Sequence, residues 1–283
     1  MSRSLGSVEL AAAVNNVVGL SALVALAVAS GALVRGVRQL RAAERPAWWH
    51  WLGGLAGALL VAVSAAAAPR MGVALLTVAL VCGQTGGSLA VDQAGLSPAG
   101  RHPATAARVV GVALAVAAVG IGALGKRGDL EAGLLTLAVL AGAAVAVQQA
   151  ANGQLARLAG EPLVAATVNF VVGTSALLVL AVVVAGDGPP NGWDAPPGDW
   201  LGGLLGASVV ATVAWVVRSL GVLGVTLALV AGQSAGALAL DLVAPAPGEA
   251  VTAGTVIGVA LTLVAVGITT TMRSPSRHGR TPG

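Results

Sequence analysis

The chain has 283 residues, 57% of them hydrophobic and 9% charged, with a mean hydropathy of +0.90. A soluble domain is about 25% charged, so the composition excludes the soluble globular class and makes lipid the solvent. Net charge is +4, from 15 Lys and Arg against 11 Asp and Glu. The basic residues are scattered over short loops and a tail, which argues against a nucleic-acid surface and for membrane topology as their cause.

Apolar length and loop punctuation predict nine spans, near 8–34, 48–68, 71–92, 105–124, 130–151, 162–185, 200–217, 220–243 and 251–271. The first is too long for the apolar region of a signal peptide, and its Val14-Asn15-Asn-Val-Val-Gly19 returns as Val168-Asn169-Phe-Val-Val-Gly173. Asn15 and Asn169 each lie about two turns inside their spans. The second span opens on Trp48, Trp49 and Trp51, where interfacial anchoring is the default reading. On 71–92, Thr77, Gln84, Ser88 and Asp92 fall on one helical face. Cys82 lies mid-helix as the lone cysteine and forms no internal disulfide. The fifth span closes on Gln148, Gln149 and Asn152, and Asn152-Gly153 reads as a helix end. The loop 186–199 carries Asp187, Asp194 and Asp199 and no Lys or Arg. On 220–243 the polar stripe recurs as Thr226, Gln233, Ala237 and Asp241.

That recurrence belongs to a longer one. Between 51–92 and 200–241, 22 of 42 positions are identical without a gap. The chain therefore divides into a first membrane repeat, 1–125, with four spans, and a second, 126–272, with five, followed by a disordered tail, 273–283. Five is odd, so the two repeats are expected to be inverted, the ground plan of many secondary transporters. The first repeat lacks a partner for 130–151. Met1 lying inside a longer reading frame is favoured over true loss of that span.

Alternating the loops between two sides puts Arg35, Arg38, Arg41, Arg45, Arg101, Arg108, Arg157, Arg218, Arg273, Arg277 and Arg280 on one side, and Arg3, Arg70, Lys126 and Arg127 on the other. The positive-inside rule places the richer side in the cytoplasm, giving an outside N-terminus and a cytoplasmic C-terminus.

Polar groups inside a span are costly and tend to face a bundle interior or an aqueous cavity. Gln84 and Gln233 are expected near the midplane, where an amide pair offers donors and acceptors to a solute. Thr77, Thr226 and Ser88 extend that site. Asp92 and Asp241, nearer opposite membrane faces, are candidates for gating or proton coupling. The competing reading has the glutamines bonding across a helix interface and the aspartates ending their helices in water. Gly53/Gly57, Gly83/Gly87, Gly202/Gly206 and Gly232/Gly236 are spaced four apart, which lets helix backbones approach closely. No metal-ligand spacing, catalytic order, P-loop or dinucleotide fingerprint is visible, so neither enzyme, metal nor cofactor is expected.

The segments from Trp48 to Gly95 (WWxWLGGLxGA … PRxGxAxLxxxLVxGQxxGSLxxDxxG) and from Gln148 to Gly173 (QQAxNGxLARLxGxPLxAAxVNFxVG) resemble the YdcZ-like inner-membrane exporters of the drug/metabolite transporter superfamily. The resemblance implies an all-α integral membrane protein of the ten-helix type, here nine helices in a 4 + 5 inverted-repeat bundle, in the plasma membrane. It also implies that the first helix of each half lines a central cavity, which adds Gln148 and Asn152 to the candidate contacts; Asn15 and Asn169 are candidates by their depth inside their spans. An interhelical hydrogen bond for Asn169 and a helix cap for Asn152 are the plainer alternatives.

The expected function is secondary transport or export of a small polar or cationic metabolite by alternating access; a non-transporting membrane subunit or scaffold is the alternative. Expected partners are the lipid bilayer and a small-molecule substrate, with a homodimer or paralogous partner left open. An aromatic cage for a quaternary ammonium is disfavoured by one Phe and no Tyr.

Overall fold

In a computed structural model the described residues are 8–42, 45–71, 73–106, 109–110, 112–114, 117, 129–184 and 201–243. Among them every regular element is helical. Helices α1 (Val8–Ala29) and α2 (Ala32–Ala42) are followed by a 3₁₀ turn (Trp48–Trp51), then α3 (Gly53–Met71), α4 (Val73–Gln93), α5 (Asp129–Ala159), α6 (Pro162–Val184) and α7 (Leu201–Val243). Four stretches are long and apolar enough to cross a bilayer: Leu10–Ala29, Ala132–Ala159, Pro162–Val183 and Leu201–Gln233, with Gly53–Ala67 as a shorter apolar helix. The predicted loop 186–199, span 251–271, tail 273–283 and most of 105–124 lie outside the described residues.

Three predicted boundaries move, each for a local reason. The stretch 8–34 breaks at Gly31, whose φ of 68° is the left-handed conformation that glycine adopts at little cost. The fifth span does not close at Asn152-Gly153. Helix α5 runs on to Ala159 and stops at Gly160, φ 66°. Gly153 serves close packing instead, since a Cβ there would sit 2.6 Å from Pro98 Cγ and would also collide with Val217. The predicted boundary between 217 and 220 falls instead at Gly221, φ 72° and ψ 169°, where two helices meet across a kink within α7.

Helix α5 is the hub, packing against α3, α4, α6 and α7. In lipid no hydrophobic force drives helices together, so association rests on close van der Waals packing and interhelical hydrogen bonds. Glycines supply the closeness. A Cβ at Gly87 would lie 2.8 Å from Ala143 Cα, and one at Gly142 would lie 3.0 Å from Gln84 N, so α4 and α5 touch backbone to backbone. The same device recurs twice elsewhere. A Cβ at Gly203 would lie 3.0 Å from Gly19 N, joining α7 to α1, and one at Gly54 would lie 2.5 Å from Gly173 N, joining α3 to α6. Outward-facing Val182, Val183, Leu205 and Trp215 are exposed, as a lipid-facing surface requires. Trp215 therefore sits on the outside of the bundle, six residues before the break at Gly221.

Candidate functional site

Because α5 is surrounded, its adjacent polar residues point into two different interfaces. Gln148 and Asn152 are one turn apart and share a face. Toward α6, buried Asn169 donates from Nδ2 to Asn152 Oδ1 at 3.1 Å, and Gln148 Nε2 donates to Asn169 Oδ1 at 3.5 Å. Gly53 of α3 makes room for this amide cluster: a Cβ there would lie 2.7 Å from Asn152 Oδ1. Gln148 Oε1 is buried with no hydrogen-bond partner among the described residues. An unsatisfied buried acceptor costs about 1–3 kcal/mol, so this oxygen is a ready contact for a donor from a solute or water.

On the other side of α5, Thr226 Oγ1 of α7 donates to Gln149 Oε1 at 2.9 Å and lies 2.7 Å from Ser88 Oγ of α4. Ser88 Oγ also lies 2.5 Å from Gln84 O. Each hydroxyl has one proton. With Thr226 donating to Gln149, the Ser88 proton is shared between Thr226 and the Gln84 carbonyl. Ser88 and Thr226 are fully buried, and Gln84 is buried beside them.

Asp92 closes this wall of the site. Its side chain is fully buried, and its Oδ1 and Oδ2 accept the backbone N–H groups of Val222 (3.0 Å) and Leu223 (3.2 Å). These are the first free donors after the break at Gly221. Asp92 thus caps the second half of α7 from another helix, where the helix dipole also favours a negative charge. Across the bundle, Asn15 Oδ1 accepts the N–H of Gly203 at 3.2 Å, in the opening turn of α7.

Two further predicted residues are exposed. Thr77 is exposed although its stripe-mates Gln84, Ser88 and Asp92 are buried. Gln233 is exposed on α7, unlike its repeat counterpart Gln84. The side chain of Asp241 lies outside the described residues.

Sequence reasoning did not single out Gln149 as a contact or Gly221 as a helix break. The first hides beside Gln148, and only its position on a surrounded helix gives it a partner. The second was legible in the repeat, where Met71-Gly72-Val73 returns as Leu220-Gly221-Val222. His50, in the 3₁₀ turn, is buried. Burial first, and then the Arg157 charge, hold its imidazole below the ordinary 6.5.

A family model described as "Putative inner membrane exporter, YdcZ" matches residues 1–121 and again 133–268. Comparison with curated proteins and with solved structures gives no match. With nearly the whole chain covered in two regions, the chain belongs to the YdcZ family of inner membrane exporters. It is a transmembrane protein of a transport family, located in the plasma membrane.

Proposed function

We propose that this member of the YdcZ family is a secondary transporter that exports a small polar or cationic metabolite by alternating access between two inverted repeats. The observation that carries the reading is a pair of reciprocal contacts. Asn15 and Gly19 of α1 meet Gly203, while Asn169 and Gly173 of α6 meet Gly54. Asn169 and Gly173 are the repeat counterparts of Asn15 and Gly19, and Gly203 is the counterpart of Gly54. Each repeat therefore lends the other the same contact, as two inverted halves related by a pseudo-two-fold axis would.

In this reading the nine spans form a 4 + 5 bundle, with the solute handled by the amides and hydroxyls around α5. Gln148, Asn152 and Asn169 hold it on one side, and Gln84, Ser88 and Thr226 on the other. Asn15 shapes the facing wall. Gln233 and Thr77 join by repeat equivalence, and Asp92 and Asp241 gate the path or pass protons. A neutral amide and hydroxyl lining suits a solute rich in N–H or O–H donors.

Comparing metabolites inside and outside cells with and without the protein identifies the cargo. With that cargo, Asn169→Leu and Gln84→Leu should each reduce transport roughly tenfold, the loss of about one buried hydrogen bond, with protein levels unchanged. Gln233→Leu should also lower transport, although Gln233 is exposed where Gln84 is buried, because alternating access exchanges the conformations of the two repeats. Normal transport in all three would remove the central site, and an absence of any exported metabolite would favour a non-transporting subunit.

The proposed orientation has its own check. A reporter active only in the cytoplasm should give signal when fused after Gly283 and none when inserted after Pro190. The reverse pattern would overturn the outside N-terminus and cytoplasmic C-terminus.

A further inference from the structure

Helix α2 differs from the other described helices in carrying three arginines, Arg35, Arg38 and Arg41, among its 11 residues. Its inner side is fixed. Ala32 and Gly36 are buried, a Cβ at Gly36 would lie 3.5 Å from Glu161 Cβ, and Arg35 Nε donates to Glu161 Oε1 at 2.6 Å. The outer side carries Val34, Val37, Arg38 and Arg41, all exposed, at the i, i+3, i+4 and i+7 positions of one helical face. Among the described residues no carboxylate pairs with Arg38, Arg41 or the following Arg45. Glu44, the acid within this stretch, lies outside them.

Two exposed valines alternating with two arginines suit neither bulk water nor hydrocarbon. They suit the level of the lipid headgroups, where such helices lie in the membrane plane. The chain on either side agrees: α1 is a candidate span, and α2 is followed by exposed Trp48 and Trp51, the usual anchors at that depth.

Beside α2 runs a groove of about 360 Å³, walled by Leu33, Val37, Leu40, Trp51 and Val168, with Arg41 among its lining. Its volume falls within the roughly 300–1,000 Å³ of small-molecule sites. Its walls are apolar, and the charge at its edge is a guanidinium, which binds phosphate oxygens in a bidentate fork.

We propose that this groove is a binding site for an anionic phospholipid. One acyl chain lies along Leu33, Leu40 and Val168, and the headgroup phosphate sits on Arg41 and Arg38. Clustered arginines bordering a span attract anionic headgroups electrostatically. The unpaired guanidiniums select against a neutral lipid, and the apolar walls select against free phosphate. The Arg35–Glu161 pair holds α2 against the loop between α5 and α6, so the lipid would also brace that junction.

The test uses the full chain, purified in mild detergent, stripped of lipid, and offered either phosphatidylglycerol or phosphatidylcholine, with bound lipid counted by intact-complex mass spectrometry. The wild type should retain phosphatidylglycerol over phosphatidylcholine by roughly tenfold or more, the ratio two arginines can supply. Arg38→Gln/Arg41→Gln should erase that preference, and Arg70→Gln should leave it intact. Val168→Trp, which fills the groove, should lower binding of both lipids. Raising NaCl to about 0.5 M should shrink the wild-type preference by screening, a readout that needs no variant. Equal retention of the two lipids by the wild type, or a preference that survives both the double substitution and high salt, would overturn the proposal. Inorganic phosphate competing as well as phosphatidylglycerol would show an anion site without a lipid site, and would overturn it too.

Discussion

Asp92→Leu should give a protein that still reaches the membrane but unfolds far more readily than the wild type. Both carboxylate oxygens of this buried residue accept backbone N–H groups, from Val222 and Leu223, and leucine leaves both donors without an acceptor in an apolar interior. At about 1–3 kcal/mol for each unsatisfied group, the loss is roughly 2–6 kcal/mol, a large share of the stability of any single domain. Asp92→Asn keeps one oxygen and should cost about half as much, because its NH₂ group would face a second N–H.

Gly221→Ala attacks the same joint from the other side. It places a Cβ 3.2 Å from Asp92 Oδ2, at φ 72° and ψ 169°, a conformation nearly confined to glycine that costs about 1–3 kcal/mol in the backbone alone. Thermal unfolding in detergent ranks the three variants. Amide exchange at Val222 and Leu223 should speed up most in Asp92→Leu. An Asp92→Leu protein that melts with the wild type and keeps those amides protected would show that the cap does not hold the break.

The overall class was plain from the sequence. Apolar stretches of about 20 residues specified a helical bundle, because lipid admits only helices and closed barrels and barrel strands are shorter and alternate apolar with polar. Three boundaries were not plain, since Gly31, Gly153 and Gly221 look alike as letters and do three different things. Gly31 ends a helix, Gly153 lets Val217 and Pro98 close on an unbroken one, and Gly221 breaks a helix whose new N-terminus is capped from elsewhere. Only the tertiary partner distinguishes the three cases.

Of the polar stripe on α4, Gln84, Ser88 and Asp92 are buried, and Gln148 and Asn152 of α5 share an amide cluster with Asn169. The period does not tell where along a helix a neighbour covers it, so exposed Thr77 and buried Ser88 were indistinguishable. Nor does the repeat guarantee equal surroundings: Thr226 is buried and Thr77 is not.

The glycine motif offers the sharpest contrast, because glycines three residues apart are expected to respond with opposite sign. Spacing by four singles out Gly53/Gly57 and Gly202/Gly206, yet the backbone contacts belong to Gly54 and Gly203. Alanine at Gly54 would press on Asn169 O and Gly173 N, and alanine at Gly203 on Asn15 O and Gly19 N. Neither neighbour is a side chain that can swing away, so whole helices must separate. Overpacking of that kind costs about 1–3 kcal/mol and sometimes more. It should also release the Asn15–Gly203 hydrogen bond in the second case.

Gly57 and Gly206 have only ordinary contacts, at 3.6 Å to Gln148 Oε1 and 3.9 Å to Phe170 Cζ. Alanine there removes backbone entropy from the unfolded chain and should be neutral or stabilising by about 0.5–1 kcal/mol. Melting temperatures should therefore fall for Gly54→Ala and Gly203→Ala by similar amounts, and hold or rise for Gly57→Ala and Gly206→Ala. The similarity of the two losses matters most, because it follows from each repeat lending the other the same contact. If Gly54→Ala collapsed the protein while Gly203→Ala left it unchanged, the two contacts would not be equivalent, and the inverted-repeat basis for alternating access would lose its structural support.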